Sequence, residues 1–417
     1  MLNKLFQQNA IPTEYRSNFL HLYLDIGWFG VLSGSTINFL NVYTTRLGAT
    51  GYQIGLIGAM SAAVTLFLAI PAARWIEKQK IDRAMFWTSV YYRIGLLGLI
   101  FLPWLFSNAV QINAIIAITF LMAIPLTPLG VGFNALFAEA VPNEYRAHVA
   151  GIRNLTLSFT FMGASLLSGY LLNHIPFPSG YQIVFAIGFI GAAMSSLHLY
   201  FIKPIGQGKT PLPSQPTPAS TPQTESPRRL ASLLRLDIWR TPYRKILLAL
   251  FGFHLAQYLA IPIFPIFNVR ILNLNDNQLG ISTALFYLTV FLGSTQLHNV
   301  VHRLGNKRTT GLGVAGMASY PIIVAYSHNI AIFYFASIVG GFAWSLASGA
   351  YANYMLEHIP ADDRPPHLAW YNIALNIAVL IGSLAGPTIA DQIGLFNALI
   401  LFGCMRFLAG IAILKWG

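Results

Sequence analysis

Long apolar runs dominate the chain, broken at regular intervals by short clusters of charge, proline, glycine or asparagine. A helix needs about 20 mostly apolar residues to cross a hydrocarbon layer. On that measure the pattern predicts twelve spans, near 19–43, 52–74, 84–105, 112–138, 148–172, 180–202, 244–267, 278–300, 309–327, 329–356, 366–390 and 394–416. The first run is too long for a signal peptide, is interrupted by Asp25 and lacks a small-residue cleavage site, so it reads as an uncleaved first helix. Between spans 6 and 7 the stretch Thr210–Pro227 is rich in Pro, Ser and Thr and reads as a disordered tether. Arg228–Arg240 follows with basic and apolar residues at roughly helical spacing, as in an amphipathic helix lying on a membrane surface. The expected organisation is an N-terminal six-helix bundle over 1–202, a cytoplasmic linker over 203–242 and a C-terminal six-helix bundle over 243–417.

Composition narrows the class. Of 417 residues 55% are hydrophobic and 9% charged, against roughly 25% charged in soluble domains. That excludes a soluble globular protein, a coiled coil, a collagen and a disordered chain. The single cysteine, Cys404, allows no internal disulfide and no cysteine-based metal site. The formal net charge of +12 is explained by where the cations fall. With the N-terminus inside, twenty of the 25 Lys and Arg residues fall on the cytoplasmic side, only Arg46 and Arg270 fall outside, and Arg93, Arg153 and Arg406 lie within spans. This is a positive-inside bias that the inverted topology loses. The charge therefore needs no nucleic-acid partner. Both termini are expected in the cytoplasm, and short loops without targeting signals place the chain most simply in a bacterial inner membrane.

The halves repeat. Glu139, Pro142, Arg146 and Asn154 after span 4 match Glu357, Pro360, Arg364 and Asn372 after span 10 at one offset of 218. The basic segment Arg74–Arg83 matches His302–Arg308 at an offset near 225, anchored by Gly55 and Gly280. Tyr15-Arg16 and Tyr243-Arg244 precede spans 1 and 7. Parallel six-helix repeats fit this order.

These residues resemble the major facilitator superfamily of secondary transporters. Arg303-Leu304-Gly305-Asn306-Lys307-Arg308 is similar to the second copy of its cytoplasmic loop motif, and Ala73-x3-Glu77-Lys78 to a degraded first copy. Glu139-Ala-Val-Pro142-Asn-Glu144-Tyr-Arg146, continuing to Gly151, resembles the helix 4–5 connection. The resemblance implies an all-α polytopic fold of twelve transmembrane helices in two pseudo-symmetric bundles, with a substrate site near the midplane between them. It also implies that spans 1, 4, 7 and 10 line that site, helped by spans 2, 5, 8 and 11. The chain departs from similar drug–proton antiporters: span 5 has Gly163-x5-Gly169 without a Gly-Pro core, Gly386-Pro387 stands in span 11 instead, and span 4 lacks an arginine.

Ionisable groups at membrane depth need a partner or a role. Asp25 is the one carboxylate well inside a span, about 12 Å from the helix start at 1.5 Å per residue. Arg93 lies at comparable depth, Arg153 lies nearer the surface, and His21 precedes Asp25 by four on the same helix face. One reading is a proton-coupling site in which Asp25 pairs with Arg93 or Arg153 in one state and is protonated in another. The other is a permanent structural ion pair. Arg406 in span 12 has no matching carboxylate; it reads as a snorkelling or packing residue, with anion binding as the alternative. On the cavity-lining spans the candidates are Trp28, Asn38, Asn134 and Asn154 in the first half. In the second half they are His254, Gln257 and Tyr258, which at i, i+3 and i+4 present one polar face of span 7, with Trp344, Ser348, Tyr351, Trp370, Asn372 and Asn376. Such amides, hydroxyls and aromatic planes suit a neutral or mildly anionic organic solute. Glu77, Glu139, Arg146, Arg303, Gly305, Lys307, Arg308, Glu357 and Arg364 are candidates for a cytoplasmic gate, the glutamates pairing with Arg146, Arg364 or the basic loops. Asp362-Asp363 reads as a solvated turn. His298-x3-His302 has metal-ligand spacing but no third ligand nearby, so no metal is expected.

The function expected is transport of a small organic solute by alternating access, driven by protons or another ion and not by ATP, since no nucleotide-binding sequence is present. The chain is expected to act as a monomer in the bilayer, with no cofactor and no enzymatic activity. A transporter-like sensor or scaffold without flux is the alternative, and a membrane enzyme a distant third.

Overall fold

In the computed structural model, which describes residues 13–205, 235–360 and 363–417, all regular structure is helical. Span 1 is built from Thr13–Leu32, a π-helical turn Ser33–Ile37 and Asn38–Arg46. Spans 2 to 6 are Gly51–Ile76, Ile81–Leu105, Asn108–Ala140, Asn143–His174 and Ser179–Phe201. Span 7 joins Tyr243–Ala260, Ile263–Ile266 and a second π-helical turn, Phe267–Ile271. Spans 8 and 9 run together through Asp276–Gly316 and on into Ser319–Ala325. Spans 10 to 12 are Ile330–Leu356, Arg364–Ile393 and Leu395–Trp416.

Ten helices among the described residues are long and apolar enough to cross a membrane. Twelve spans are consistent with that number. Span 1 is too polar to be counted, since Arg16 and Asp25 precede the string Ser33-Gly34-Ser35-Thr36. Span 9 is counted together with span 8, because the expected connecting loop shrinks to one non-helical residue, Gly305 at φ 78. A left-handed backbone of that kind is open to glycine at little steric cost. The tether Thr210–Pro227 and most of the expected amphipathic helix lie outside the described residues; the last part of that helix is a short 3₁₀ turn, Leu236–Arg240.

Spans 2 and 8 begin on matched capping boxes. Thr50 and Gln53 satisfy each other's backbone N–H groups, as do Asn275 and Gln278, which relieves the orphan donors of a helix start. The packing repeats as the sequence does. Span 1 lies on spans 5 and 6 as span 7 lies on 11 and 12, span 2 lies on 4 as 8 lies on 10, and span 3 on 6 as 9 on 12. The halves meet where span 5 crosses span 8 and span 2 crosses span 11.

The cores show how the halves are joined. At the end opposite the termini, one continuous buried cluster takes residues from both halves, among them Leu32, Tyr43 and Phe185 with Leu259, Phe267 and Phe402. At the end bearing the termini, each half has its own cluster: Phe19, Leu136 and Val149 in one, Leu250, Val314 and Tyr354 in the other. The joined end depends on small residues. A Cβ on Gly55 would lie 2.0 Å from the Ser383 carbonyl oxygen, and one on Gly280 would lie 2.7 Å from the Ser165 carbonyl oxygen. Gly55→Ala is therefore expected to force span 2 away from span 11 and to cost about 1–3 kcal/mol. Melting of the purified protein should shift down for Gly55→Ala and not for Gly130→Ala, since nothing lies within 4 Å of a Cβ at Gly130.

Candidate functional site

Three features are candidates for function: a buried charge cluster in the first half, a pocket in the second, and the closed end where the halves meet. The charge cluster centres on Asp25, which is 4% exposed. Its Oδ2 accepts from Arg153 Nη1 at 3.3 Å, and its Oδ1 accepts from Ser195 Oγ at 2.5 Å. Ser195 in turn accepts from Arg93 Nη2 at 2.7 Å, while Arg93 Nη1 donates to Ser196. Asp25 thus pairs directly with Arg153 and reaches Arg93 through one hydroxyl. Arg153 is further held by the Leu22 carbonyl at 2.8 Å and lies 4.7 Å from the centre of the Phe133 ring. Two buried guanidinium groups share one carboxylate here, so removing it would leave both without a counter-charge. His21 lies one turn along span 1 toward the termini, with Nδ1 3.0 Å from Nδ1 of His198. Span 1 therefore faces span 6 through both Asp25–Ser195 and His21–His198.

The expected polar face of span 7 divides. His254 turns to span 11, where Nε2 lies 2.9 Å from the Tyr371 hydroxyl, with Tyr351 edge-on. Tyr258 packs where span 7 meets Gly382 of span 11. Gln257 turns the other way, into a pocket of about 250 Å³ among spans 7, 8, 9, 10 and 12. Trp344 and Phe264, Phe286, Tyr287 and Tyr320 line it, and so does Arg406. Ser348 is occupied by its own helix, donating to the Trp344 carbonyl. Trp370 lies against the end of the linker, edge-on to Trp239 with ring centres 5.3 Å apart. Asn372 is exposed and its carbonyl accepts from Asn376; Asn134 and Asn154 are exposed on the facing half. Trp28 is half-buried, its backbone against Gly191 of span 6. Asn38 bridges the halves, donating to Ser165 Oγ at 3.1 Å and accepting from Thr283 Oγ1 at 3.5 Å. Deeper still, Phe161 and Tyr287 stack across the boundary at 4.0 Å.

The closed end is held by a reciprocal device that the sequence reading overlooked. Arg46 at the end of span 1 donates to the Leu274 carbonyl of the second half at 3.1 Å. Arg270 at the end of span 7 donates to the Ala49 carbonyl of the first half at 2.6 Å. One contact departs from the symmetry. Arg46 also pairs with Asp276 at 2.8 Å, and Tyr181 donates to the same carboxylate oxygen at 2.8 Å. A cleft of about 790 Å³ lies over this group. The signal was available, because Arg46 and Arg270, Thr50 and Asn275, and Gln53 and Gln278 recur at nearly the same offset as Gly55 and Gly280.

At the opposite end the gate candidates divide. Arg146 does not pair with Glu139; it donates to the Ala138 carbonyl at 2.6 Å and the Val141 carbonyl at 3.1 Å. The free carbonyls and negative pole at the end of span 4 explain that choice. Glu139 is exposed, and its carbonyl accepts from Ile205. Glu357 accepts from Asn306 Nδ2 at 2.7 Å, beside Gly305 in the basic motif. Glu77 closes span 2 and is exposed, as are Arg303, Arg308 and Arg364, with Lys307 half-buried. Asp363 is no solvated turn. It takes both Nη groups of Arg235 at 2.9 Å, so the linker's end is tied to the start of span 11. The hydrogen bonds that Arg235 donates to Asp237 and Asp363 push its guanidinium above its ordinary pKa.

The profile described as Major Facilitator Superfamily matches the chain over residues 24–253 and 246–417. The cis,cis-muconate transport protein of Acinetobacter baylyi is 26% identical over 299 residues, which cover 70% of this chain and 69% of that protein. The nucleoside transporter NupG superposes with a TM-score of 0.71 at 13% identity, over 95% of this chain and 98% of that one. A D-xylose–proton symporter superposes with a TM-score of 0.67 at 16% identity, over 96% and 97% of the two chains.

Proposed function

Since the chain belongs to the Major Facilitator Superfamily and is a multi-pass membrane transporter of a small solute, we propose that it moves an organic solute by alternating access and draws on a proton gradient. The observation that carries this reading is the contrast between the ends: one core shared by both halves at the closed end, separate cores at the end bearing the termini. Two bundles that rock about a central site need such a contrast in each of their end states. The charge bias supports cytoplasmic termini; in this reading the closed end faces outward and the state is open to the inside. Asp25, held between Arg153 and Ser195, is the proton carrier in this reading. The relative named for cis,cis-muconate and the symporter named for xylose and protons support a small organic cargo with proton coupling. The bilayer is that of a bacterial inner membrane, and the chain works as a monomer without a cofactor or an enzymatic step.

The test uses sealed proteoliposomes loaded with a pH-sensitive dye and challenged with sugars, nucleosides, organic acids and aromatic cations. A solute-dependent change of internal pH is expected with at least one class. Solute uptake that leaves the internal pH unmoved would remove proton coupling, and no uptake of any class by folded protein would favour a non-transporting sensor.

A further inference from the structure

The pocket of the second half holds a cation that nothing in the described protein neutralises. Arg406 is 3% exposed, and no carboxylate lies within ion-pair distance of it among the described residues. Its Nη2 donates to the Gln257 carbonyl at 3.1 Å, and its Nε has no acceptor. The Gln257 side-chain oxygen, also in this pocket, is buried without a donor. Leaving a guanidinium buried and unpaired costs several kcal/mol. A pocket walled by such a guanidinium is suited to a negatively charged group.

We propose that this pocket is a carboxylate subsite in which Arg406 receives the acid group of a small planar organic acid and the aromatic walls receive its body. The inference rests on the transport reading and narrows its cargo. A guanidinium offers a carboxylate two parallel N–H donors, a fit that a sugar hydroxyl or an amine does not match. Gln257 supplies an acceptor for a hydroxyl or protonated group on the same molecule. The body of the cargo is set by Phe286, Tyr320 and Trp344, whose flat surfaces favour a flat partner. About 250 Å³ is the room of about eight waters, below the usual range for drug-sized ligands. That is enough for a ring or a short conjugated chain bearing one acid group. Tyr287 lines the same pocket and stacks on Phe161 of the other half. An acid seated on Arg406 therefore touches a side chain on which the two halves meet.

Binding should be measured on the full chain in nanodiscs at neutral pH, by calorimetry, with three matched pairs: benzoate and benzamide, cinnamate and cinnamamide, 2,4-hexadienoate and its amide. At least one acid is expected to bind tenfold or more tightly than its amide, with inorganic phosphate failing to compete. Arg406→Gln should abolish that preference and Arg406→Lys should restore part of it. Equal binding of acid and amide in all three pairs, or Arg406→Gln binding the acid as wild type does, would overturn the proposal. Effective competition by phosphate would also overturn it, because the site would then be a general anion site. If Arg406→Gln does not fold, the wild-type acid-to-amide ratio still decides. Flux is not involved, so acid binding without accumulation sinks the transport reading alone, and accumulation without acid preference sinks the subsite alone.

Discussion

Asp25→Asn is expected to abolish gradient-driven accumulation of solute while sparing solute exchange. Asparagine keeps the size of the side chain and still accepts the Ser195 hydroxyl, so the contact between spans 1 and 6 survives. It removes the charge that Arg153 and, through Ser195, Arg93 share. The variant thus resembles the protonated form in every state and cannot take up or release a proton. In proteoliposomes with an imposed pH gradient, accumulation should fall to the level of empty vesicles while counterflow with solute on both sides stays near wild type. Asp25→Ala should behave differently. It leaves two buried arginines without their carboxylate and is expected to cost about 3–5 kcal/mol of stability. Loss of both accumulation and counterflow in Asp25→Asn, with an early melt, would make the cluster a structural ion pair.

The second large effect is expected at the closed end. Asp276 is 7% exposed and takes Arg46 and Tyr181 on a single oxygen across the boundary between the halves. The pair is neither fully exposed, where it would contribute up to about 1 kcal/mol, nor fully buried. Asp276→Asn should weaken closure by about 2 kcal/mol, or roughly thirtyfold in the ratio of closed to open states. The reciprocal carbonyl contacts of Arg46 and Arg270 remain, so the end is loosened and not dismantled. Cys404 is the single cysteine and is exposed, which makes Cys404→Ser a cysteine-free background. On it, Leu172→Cys, buried in the wall of the cleft, should react faster with an impermeant maleimide once Asp276→Asn is added. An unchanged rate would show that the ion pair does not govern opening.

Spans, repeat and family were legible because apolar length and recurring punctuation are one-dimensional signals. Asp25, Arg93 and Arg153 were legible for the same reason, since charge is rare enough inside these spans to stand out. Their connection was not. Ser195 and Ser196 look like ordinary small residues of a membrane helix, and only the packing of span 6 on spans 1 and 3 gives them their task. Helical spacing grouped His254, Gln257 and Tyr258 on one face, yet a helix at a crowded junction serves two neighbours. Gln257 belongs with Arg406, and His254 with Tyr371. Arg146 took helix-end carbonyls over a glutamate, a choice that depends on how tightly the chain turns. Arg46 and Arg270 were counted only as exceptions to the charge bias, although the repeat already paired them.

Under the proposed coupling, the solitary carboxylate of the first-half cluster would also limit the work a cycle can do. Asp276 lies at the first residue of span 8 and is held by Arg46, which leaves Asp25 as the one acid buried at depth among the described residues. If Asp25 is the proton carrier, that one carboxylate would carry one proton per turnover. With a monocarboxylate on Arg406, a proton and an anion would travel together and no net charge would cross the electric field. The membrane potential, worth about 2.3 kcal/mol per charge per 100 mV, would then contribute nothing, and the attainable gradient would follow acidity alone, at roughly tenfold per pH unit.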